Sequence, residues 1–327
     1  MMTAAIANAP GEAMRVVSVA KPTTHAGQVL VRIHASGVNP LDTKIHAGAA
    51  PHAKQPLPAI LGLDLAGVVE TVGAGVDRFA PGDEVYGMTG GVGGHQGTLA
   101  QFAAVDADLL ALKPTTLSMR EAAALPLVFI TAWEGLVDRA TVRANQTVLV
   151  HGGAGGVGHI AVQLAKTLGA TVYATGSERQ RTQIEGLGAT FIDYTSETVA
   201  AYVERLTAGA GFDVIYDTVG GATLDASFAA VKRFGHVVSA LGWGTHALAP
   251  LSFRAATYSG VFTLLPLITG IGRAHHGDIL RHAAQMVEAG KVKPLLDARH
   301  FTLESVGDAY AALTQRSARG RLVVDIP

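Results

Sequence analysis

The sequence predicts an α/β protein in which a β-rich portion is joined to a doubly wound parallel sheet. Three observations carry that prediction. The first third is rich in β-branched residues punctuated by glycine and proline turns. From residue 147 onward, apolar strand patterns alternate with helical ones. After about residue 266 the alternation stops. Strand–helix alternation at this spacing calls for parallel strands covered by helices on both faces. A chain of 327 residues suits two domains. The expected division is one domain from 1–122 and 266–327, interrupted by a second at 123–265.

Taken in order, "QVLVRIHASGV" (28–38) places apolar residues at alternate positions, and "LAGVVETVGAGV" (65–76) reads as a strand broken by glycines. "PGDEVYG" (81–87) is a turn leading into another strand. Residues 118–138 read as helical, with Ser118 and Glu121 forming a capping box and Pro126 a break. Parallel strands are predicted over Thr147–His151, Thr171–Thr175, Thr190–Asp193, Phe212–Asp217 and His236–Leu241, with a sixth at Gly260–Leu264. Helices lie between most of them, as at Gly156–Leu168 and Thr198–Thr207. The closing stretch predicts a helix over Asp278–Ala289 and short strands over Ala298–Thr302 and Leu322–Ile326, returning to the first domain.

Composition limits the functions open to this chain. Apolar residues make up 49% and charged residues 16%, enough for a large core. A formal net charge of −1 provides no basic footprint for nucleic acid or an anionic membrane. The complete lack of cysteine removes disulfides, thiolate nucleophiles and cysteine-containing metal sites together. The N-terminal residues lack the pattern of a signal peptide, and the apolar stretch Tyr258–Gly272 is short for a membrane span and carries Pro266. A cytoplasmic location is expected.

The most informative segment is "HGGAGGVGH" (151–159), with five glycines in the seven residues 152–158. Within it Gly153, Gly155 and Gly158 form G-x-G-x-x-G between a strand and a helix, with the next strand following at Thr171. That is the placement a βαβ dinucleotide-binding unit needs. The turn is expected to require positive φ, and the pyrophosphate to touch backbone N–H groups at the positive end of the helix dipole. Gly158 is expected to let helix and strand pack closely. A P-loop would need Gly-Lys-Ser/Thr, whereas the chain has Gly158-His159-Ile160.

NAD sites usually place an acid at the end of the second strand, to hold the ribose hydroxyls. Here that strand ends Ala174-Thr175-Gly176-Ser177, followed by Glu178, Arg179 and Arg181. Ser177 with the two arginines leaves room and charge for a 2′-phosphate, so NADPH is the expected cofactor. The opposing reading has Glu178 bending back to the ribose and the arginines as plain surface.

Four stretches carry a resemblance that runs nearly end to end: "GQVLVRIHASGVNPLDTKIHAG" (27–48), "LPAILGLDLAGVVETVGAGVDRFAPGDEVYG" (57–87), "HGGAGGVGHIAVQLAKTLGA" (151–170) and "GFDVIYDTVGG" (211–221). The chain resembles the zinc-independent quinone oxidoreductase (zeta-crystallin-like) branch of the medium-chain dehydrogenase/reductase superfamily. The resemblance implies a GroES-like catalytic domain, a Rossmann domain, an active cleft between them and a homodimer. The superfamily's zinc enzymes have Gly-His-Glu where this chain has Gly62-Leu63-Asp64, and their four-cysteine loop corresponds to "MTGGVGGHQGTLAQF" (88–102). No metal is expected, and His275, His276 and His282 are read as part of a surface helix and its approach.

The same resemblance implies site residues. Asn39 corresponds to the asparagine that faces the nicotinamide pocket. Lys44 stands where a tyrosine is frequent: it either protonates or polarises a substrate oxygen, or pairs with Asp42 or Asp64. Thr131 in "FITAW" (129–133) matches a threonine beside the nicotinamide, or bonds its own helix backbone. Gly153, Ala154, Gly155, Gly156, Val157 and Gly158 would hold the pyrophosphate. Gly242 and the backbone around Phe262 and Thr263 would hold the carboxamide edge, and Arg316 or Arg319 would reach the cofactor phosphates.

The implied reaction is hydride transfer to a small-molecule quinone or α,β-unsaturated carbonyl, whose own conjugation carries the developing charge without a Lewis acid. Two rivals remain open: a 2-enoyl-thioester reductase of the same superfamily, and a non-catalytic NADPH-binding protein. A hydrolase lacks support, since there is no cysteine, no G-x-S-x-G and no H-E-x-x-H.

Overall fold

The strand patterns of the first third become eight strands: β1 (Met2–Ala7), β2 (Arg15–Val19), β3 (Gln28–Val38), β4 (Ala59–Ile60), β5 (Asp64–Val72), β6 (Glu84–Met88), β7 (Phe102–Asp106) and β8 (Leu110–Leu112). The computed structural model describes residues 1–327 throughout. Contacts divide the chain into two units, Met1–Leu127 with Leu264–Gly290 and Pro294–Pro327, and Val128–Thr263 with Lys291–Lys293. The crossings thus fall at 127/128 and 263/264, against 122/123 and 265/266 in the sequence reading. Lys291–Lys293 joins the second unit through Gln163, which bonds the Lys293 backbone N–H at 2.9 Å and its carbonyl at 3.1 Å.

In the first unit, β3 is the hub. It pairs antiparallel with β5, β7 and the last strand, β15 (Leu322–Asp325). Being flanked on both edges, β3 is buried at most positions. Helix α1 (Pro40–His46) follows β3 directly, with Pro40 at a first-turn position where its missing N–H costs nothing. Ser118 and Glu121 form the expected capping box on α2 (Met119–Ala123). The long helix expected over 118–138 is in fact three pieces: α2, α3 (Pro126–Trp133) and a π-helical turn, Glu134–Arg139.

The second unit holds a six-stranded parallel sheet: β9 (Thr147–His151), β10 (Thr171–Gly176), β11 (Thr190–Asp193), β12 (Phe212–Asp217), β13 (Val231–Ser239) and β14 (Thr257–Gly260). The order β11-β10-β9-β12-β13-β14 is that of a Rossmann sheet, and it reverses between β9 and β12. Helices α4 (Gly158–Thr167), α5 (Arg181–Gly186), α6 (Val199–Thr207) and α7 (Ala222–Ala230) connect the strands. Leu149, Phe212, Ile215, Leu224, Phe228 and Val237 are buried in one of its cores, where Tyr173 packs edge-on against Phe212.

Several predicted elements are displaced. The sixth parallel strand is Thr257–Gly260, not Gly260–Leu264. As an edge strand it is half exposed and reads polar, while the apolar run beyond it turns into a short helix, Leu265–Thr269. The fifth begins at Val231 rather than His236 because a bulge absorbs "KRFG" (232–235), with Phe234 at φ +62°. Residues 298–302 form only an isolated bridge, Phe301 to Val324. There the Asp297 carboxylate takes the Arg299 N–H, a local bond that competes with a strand ladder. Helix α4 starts at Gly158 rather than Gly156, and the Asp278 helix extends over Arg273–Glu288. That last helix is no surface element: His276, Ile279, Leu280 and Ala283 are fully buried. No helix is long and apolar enough to cross a membrane.

Candidate active site

The glycine turn lies where the sheet order reverses. Strand β9 ends at His151, and Gly152 turns the chain with φ +73°. The Gly152 N–H donates to Thr175 Oγ1 (3.1 Å), the Gly153 N–H to the Thr175 carbonyl (3.0 Å), and the Gly155 N–H to the Gly152 carbonyl (2.8 Å). The positive φ expected of the turn falls on Gly152, while the three motif glycines serve through close approach. A Cβ on Gly158 would stand 2.0 Å from the Gly152 carbonyl oxygen. The N–H groups of Ala154, Gly156, Val157 and Gly158 donate to no backbone carbonyl. A cradle closed to side chains, with unused donors at a helix start, fits a pyrophosphate.

Beneath the turn, a polar row crosses the C-terminal edge of the sheet. His151 and Asp217 are register partners, as are Asp217 and Ser239. The Thr175 hydroxyl lies 3.2 Å from His151 Nδ1. Asp217 is fully buried and accepts from the Ser239 hydroxyl (2.7 Å) and the Val219 and Gly220 N–H groups, shaping the loop after β12. Burial pushes the His151 imidazole down to about 4, against a smaller upward pull from Asp217.

At the end of β10 the structure distinguishes the charged candidates. Arg181 makes a two-pronged ion pair with Glu178 (2.7 and 2.8 Å) and lies 4.4 Å over the Phe191 ring. That pair holds the Glu178 carboxyl below its ordinary range and occupies both residues. Arg179 is exposed and makes no ion pair, and Ser177 is half-buried and bonded to Gln180 Oε1 through its N–H at 3.0 Å.

Thr131 and Thr263 come together, their hydroxyls 3.1 Å apart, and the Thr263 hydroxyl donates to Glu134 Oε2 at 3.0 Å. The Tyr216 hydroxyl donates to the Thr131 carbonyl (2.6 Å). Phe262 packs edge-on against Trp243, and the Tyr258 hydroxyl stands 2.2 Å from where a Cβ on Gly242 would be.

In the other unit, Asn39 is fully buried at the start of α1. Its Nδ2 donates to Asp64 Oδ2 (3.0 Å), its Oδ1 accepts from Arg321 (2.5 Å), and its backbone N–H donates to Asp42 Oδ2 (2.8 Å). Asp64 also accepts the Leu127 N–H and lies 3.7 Å from the Arg321 guanidinium. Burial pushes Asp42 up to about 8 and Asp64 to about 7. One buried cation faces two buried acids. Asp64, with Arg321 and two N–H donors, takes the negative charge; Asp42, whose Oδ1 has no partner, keeps its proton.

Lys44 pairs with neither acid: it is exposed, while both aspartates are buried. Arg316 and Arg319 are exposed too, Arg319 bonding Asp297 only through its backbone N–H. Sequence reasoning missed Asp42, Asp64 and Arg321 as a unit. The available signal was an acid inside an apolar strand, at Gly62-Leu63-Asp64. No group of three or more histidine, aspartate or glutamate side chains is placed to hold a metal ion.

Residues 25–115 match the alcohol dehydrogenase GroES-like domain and residues 187–324 the zinc-binding dehydrogenase domain. The chain is 38% identical to 2-methylene-furan-3-one reductase of Solanum lycopersicum and 36% identical to the chloroplastic NADPH-dependent alkenal/one oxidoreductase of Arabidopsis thaliana. Each match covers 94% of this chain and 74% of the relative. The crystal structure of an alcohol dehydrogenase superfamily protein from Novosphingobium aromaticivorans superposes with a TM-score of 0.98 at 57% identity, over 100% of both chains. With the Rossmann sheet order, the glycine cradle and these relatives in agreement, the chain belongs to the medium-chain dehydrogenase/reductase superfamily and is an oxidoreductase.

Proposed function

We propose that this enzyme uses NADPH to reduce α,β-unsaturated carbonyls and quinones, without zinc. The observation that carries the dinucleotide is the glycine cradle, whose free N–H groups at α4 match a pyrophosphate. The acceptor class follows the two enone- and alkenal-reducing relatives. The bound dinucleotide would supply the hydride. The chain's own residues then bind and orient. Ser177 and Arg179 are proposed to hold the 2′-phosphate. Thr131, Thr263 and Gly242 would hold the carboxamide end, with Phe262 beside it. Asn39, locked by Asp64 and Arg321, would present one rigid edge, and the exposed Lys44 would give a proton to a substrate oxygen.

Zinc-independence rests on the residues present. At Gly62-Leu63-Asp64 the only acid is held by Asn39, Leu127 and Arg321, and no cysteine exists to complete a site. A homodimer is proposed because β14 is an exposed edge strand of the parallel sheet, open to pairing with a second copy. A cytoplasmic location suits a chain without cysteine.

The test is NADPH oxidation by chelator-treated protein, followed by absorbance with a 2-alkenal and then a benzoquinone. Turnover that survives the chelator and drops with NADH is expected. Tight NADPH binding with no turnover on either acceptor would overturn the proposed acceptor class.

A further inference from the structure

Between the end of β13 at Ser239 and the next helix at Ala249, the chain runs through a loop, 240–248, that is neither helix nor strand and carries Gly242 and Trp243. His246 ties this loop down. Its Nδ1 lies 2.9 Å from the Asp225 carboxylate on α7, and its Nε2 lies 3.2 Å from the Trp243 carbonyl. Gly244, at φ +109°, makes the turn that brings that carbonyl back to the ring. Most of the loop is exposed, yet the imidazole is only 11% exposed and stands edge-on to the buried Phe228 ring at 6.2 Å. Tyr258 of β14 stands edge-on to the same ring at 5.9 Å, and its hydroxyl fills the space where a Cβ on Gly242 would be. Gly242, Tyr258, Phe228 and His246 therefore pack in series.

A carboxylate and a carbonyl oxygen only accept, so each contact needs a proton on the nitrogen that faces it. Neutral imidazole carries one such proton and imidazolium carries two. Only the charged ring makes both bonds. The bond to Asp225, and then that to the Trp243 carbonyl, hold the His246 pKa above its ordinary value; the charges of Asp225 and of Asp217, at the end of β12, add to them and partial burial opposes. We infer that His246, as a doubly donating imidazolium, clamps loop 240–248 onto α7 and so positions Gly242 against the nicotinamide carboxamide. The inference rests on the proposed placement of Gly242 at the carboxamide end. It makes His246 a positioning residue acting through the loop.

The experiment measures affinities for NADP⁺ and for 2′,5′-ADP, which has the same 2′-phosphate and no nicotinamide, by titration calorimetry on the full chain from about pH 6 to 9. The ratio of the two cancels titration of the phosphate and reads the nicotinamide half alone. In the wild type the advantage of NADP⁺ should fall about three- to tenfold as pH rises, the value of one hydrogen bond. The sign follows from a raised pKa: the clamp is complete below the ordinary histidine range and is lost as pH rises through the higher value. His246→Gln, which never carries the charge, should give a low ratio that does not change with pH. Asp225→Asn should move the fall to lower pH, while Asp225→Glu keeps the wild-type profile. A wild-type ratio independent of pH, or the same fall in His246→Gln, overturns the clamp while leaving the NADPH reading intact. Failure of the wild type to bind either NADP⁺ or 2′,5′-ADP overturns the reading beneath it.

Discussion

Arg321 donates to the Asn39 carboxamide oxygen at 2.5 Å, although the two residues stand 282 positions apart in the chain. Sheet register brings them together. Leu322 pairs with Val38 across β15 and β3, so the residues just outside that pair, Arg321 and Asn39, face each other. Asp64 joins them because it pairs with Gly37 at the same end of β3. Three distant segments thereby meet in a cluster that is at most 5% exposed.

Removing the cation from this cluster leaves a buried carboxylate unpaired. Arg321→Met should cost about 3–5 kcal/mol of stability, as breaking a buried pair from one side does. Arg321→Lys should lose less. Urea unfolding of each variant measures it, and a loss below 1 kcal/mol for the methionine variant would contradict the charge assignment.

Stability should depend on pH with two opposite limbs. Asp42, raised in the fold, contributes stability that is full below its unfolded value near 4 and is lost as pH rises through about 8. His151, lowered to about 4, contributes stability that is full above its unfolded value near 6.5 and is lost as pH falls through 4. The histidine limb amounts to roughly 3 kcal/mol. Thermal melts across pH 4–9 should show His151→Asn flattening the acid limb and Asp42→Asn removing only part of the alkaline one, since Asp64, raised to about 7, keeps its own share.

Gly158→Ala tests the cradle. Its Cβ would meet the Gly152 carbonyl oxygen at 2.0 Å, and that atom is backbone. The turn must open, so NADPH affinity should fall at least tenfold, with about 1–3 kcal/mol of stability lost. Fluorescence titration with NADPH reads the affinity directly.

The two arginines after β10 should differ. Arg179→Ala should lower the preference for NADPH over NADH by about tenfold, because it removes a free cation from the proposed 2′-phosphate site. Arg181→Ala should change the preference less, since its guanidinium is already held by Glu178. Equal effects of the two substitutions would remove the distinction drawn between them.

Much of this molecule was legible in the chain. The run Thr147–His151, the five-glycine turn and the helix after it depend on local period and side-chain size, and local pattern reads both. The same holds for the Ser118 capping box, whose partners are three residues apart. The sixth strand was misplaced because edge strand Thr257–Gly260 buries no full apolar face and so carries little pattern.

Sequence alone therefore determined the α/β alternation, the family and the dinucleotide cradle, all built from residues close together along the chain. Only the tertiary structure decided which charged groups remain available. Arg179 is open because Arg181 folds onto Glu178 and Phe191. Lys44 is unpaired because register delivers Arg321, not a neighbour on α1, to Asp64 and Asn39. Charge pairing acts through space over a few ångströms, and distance along the chain does not record it.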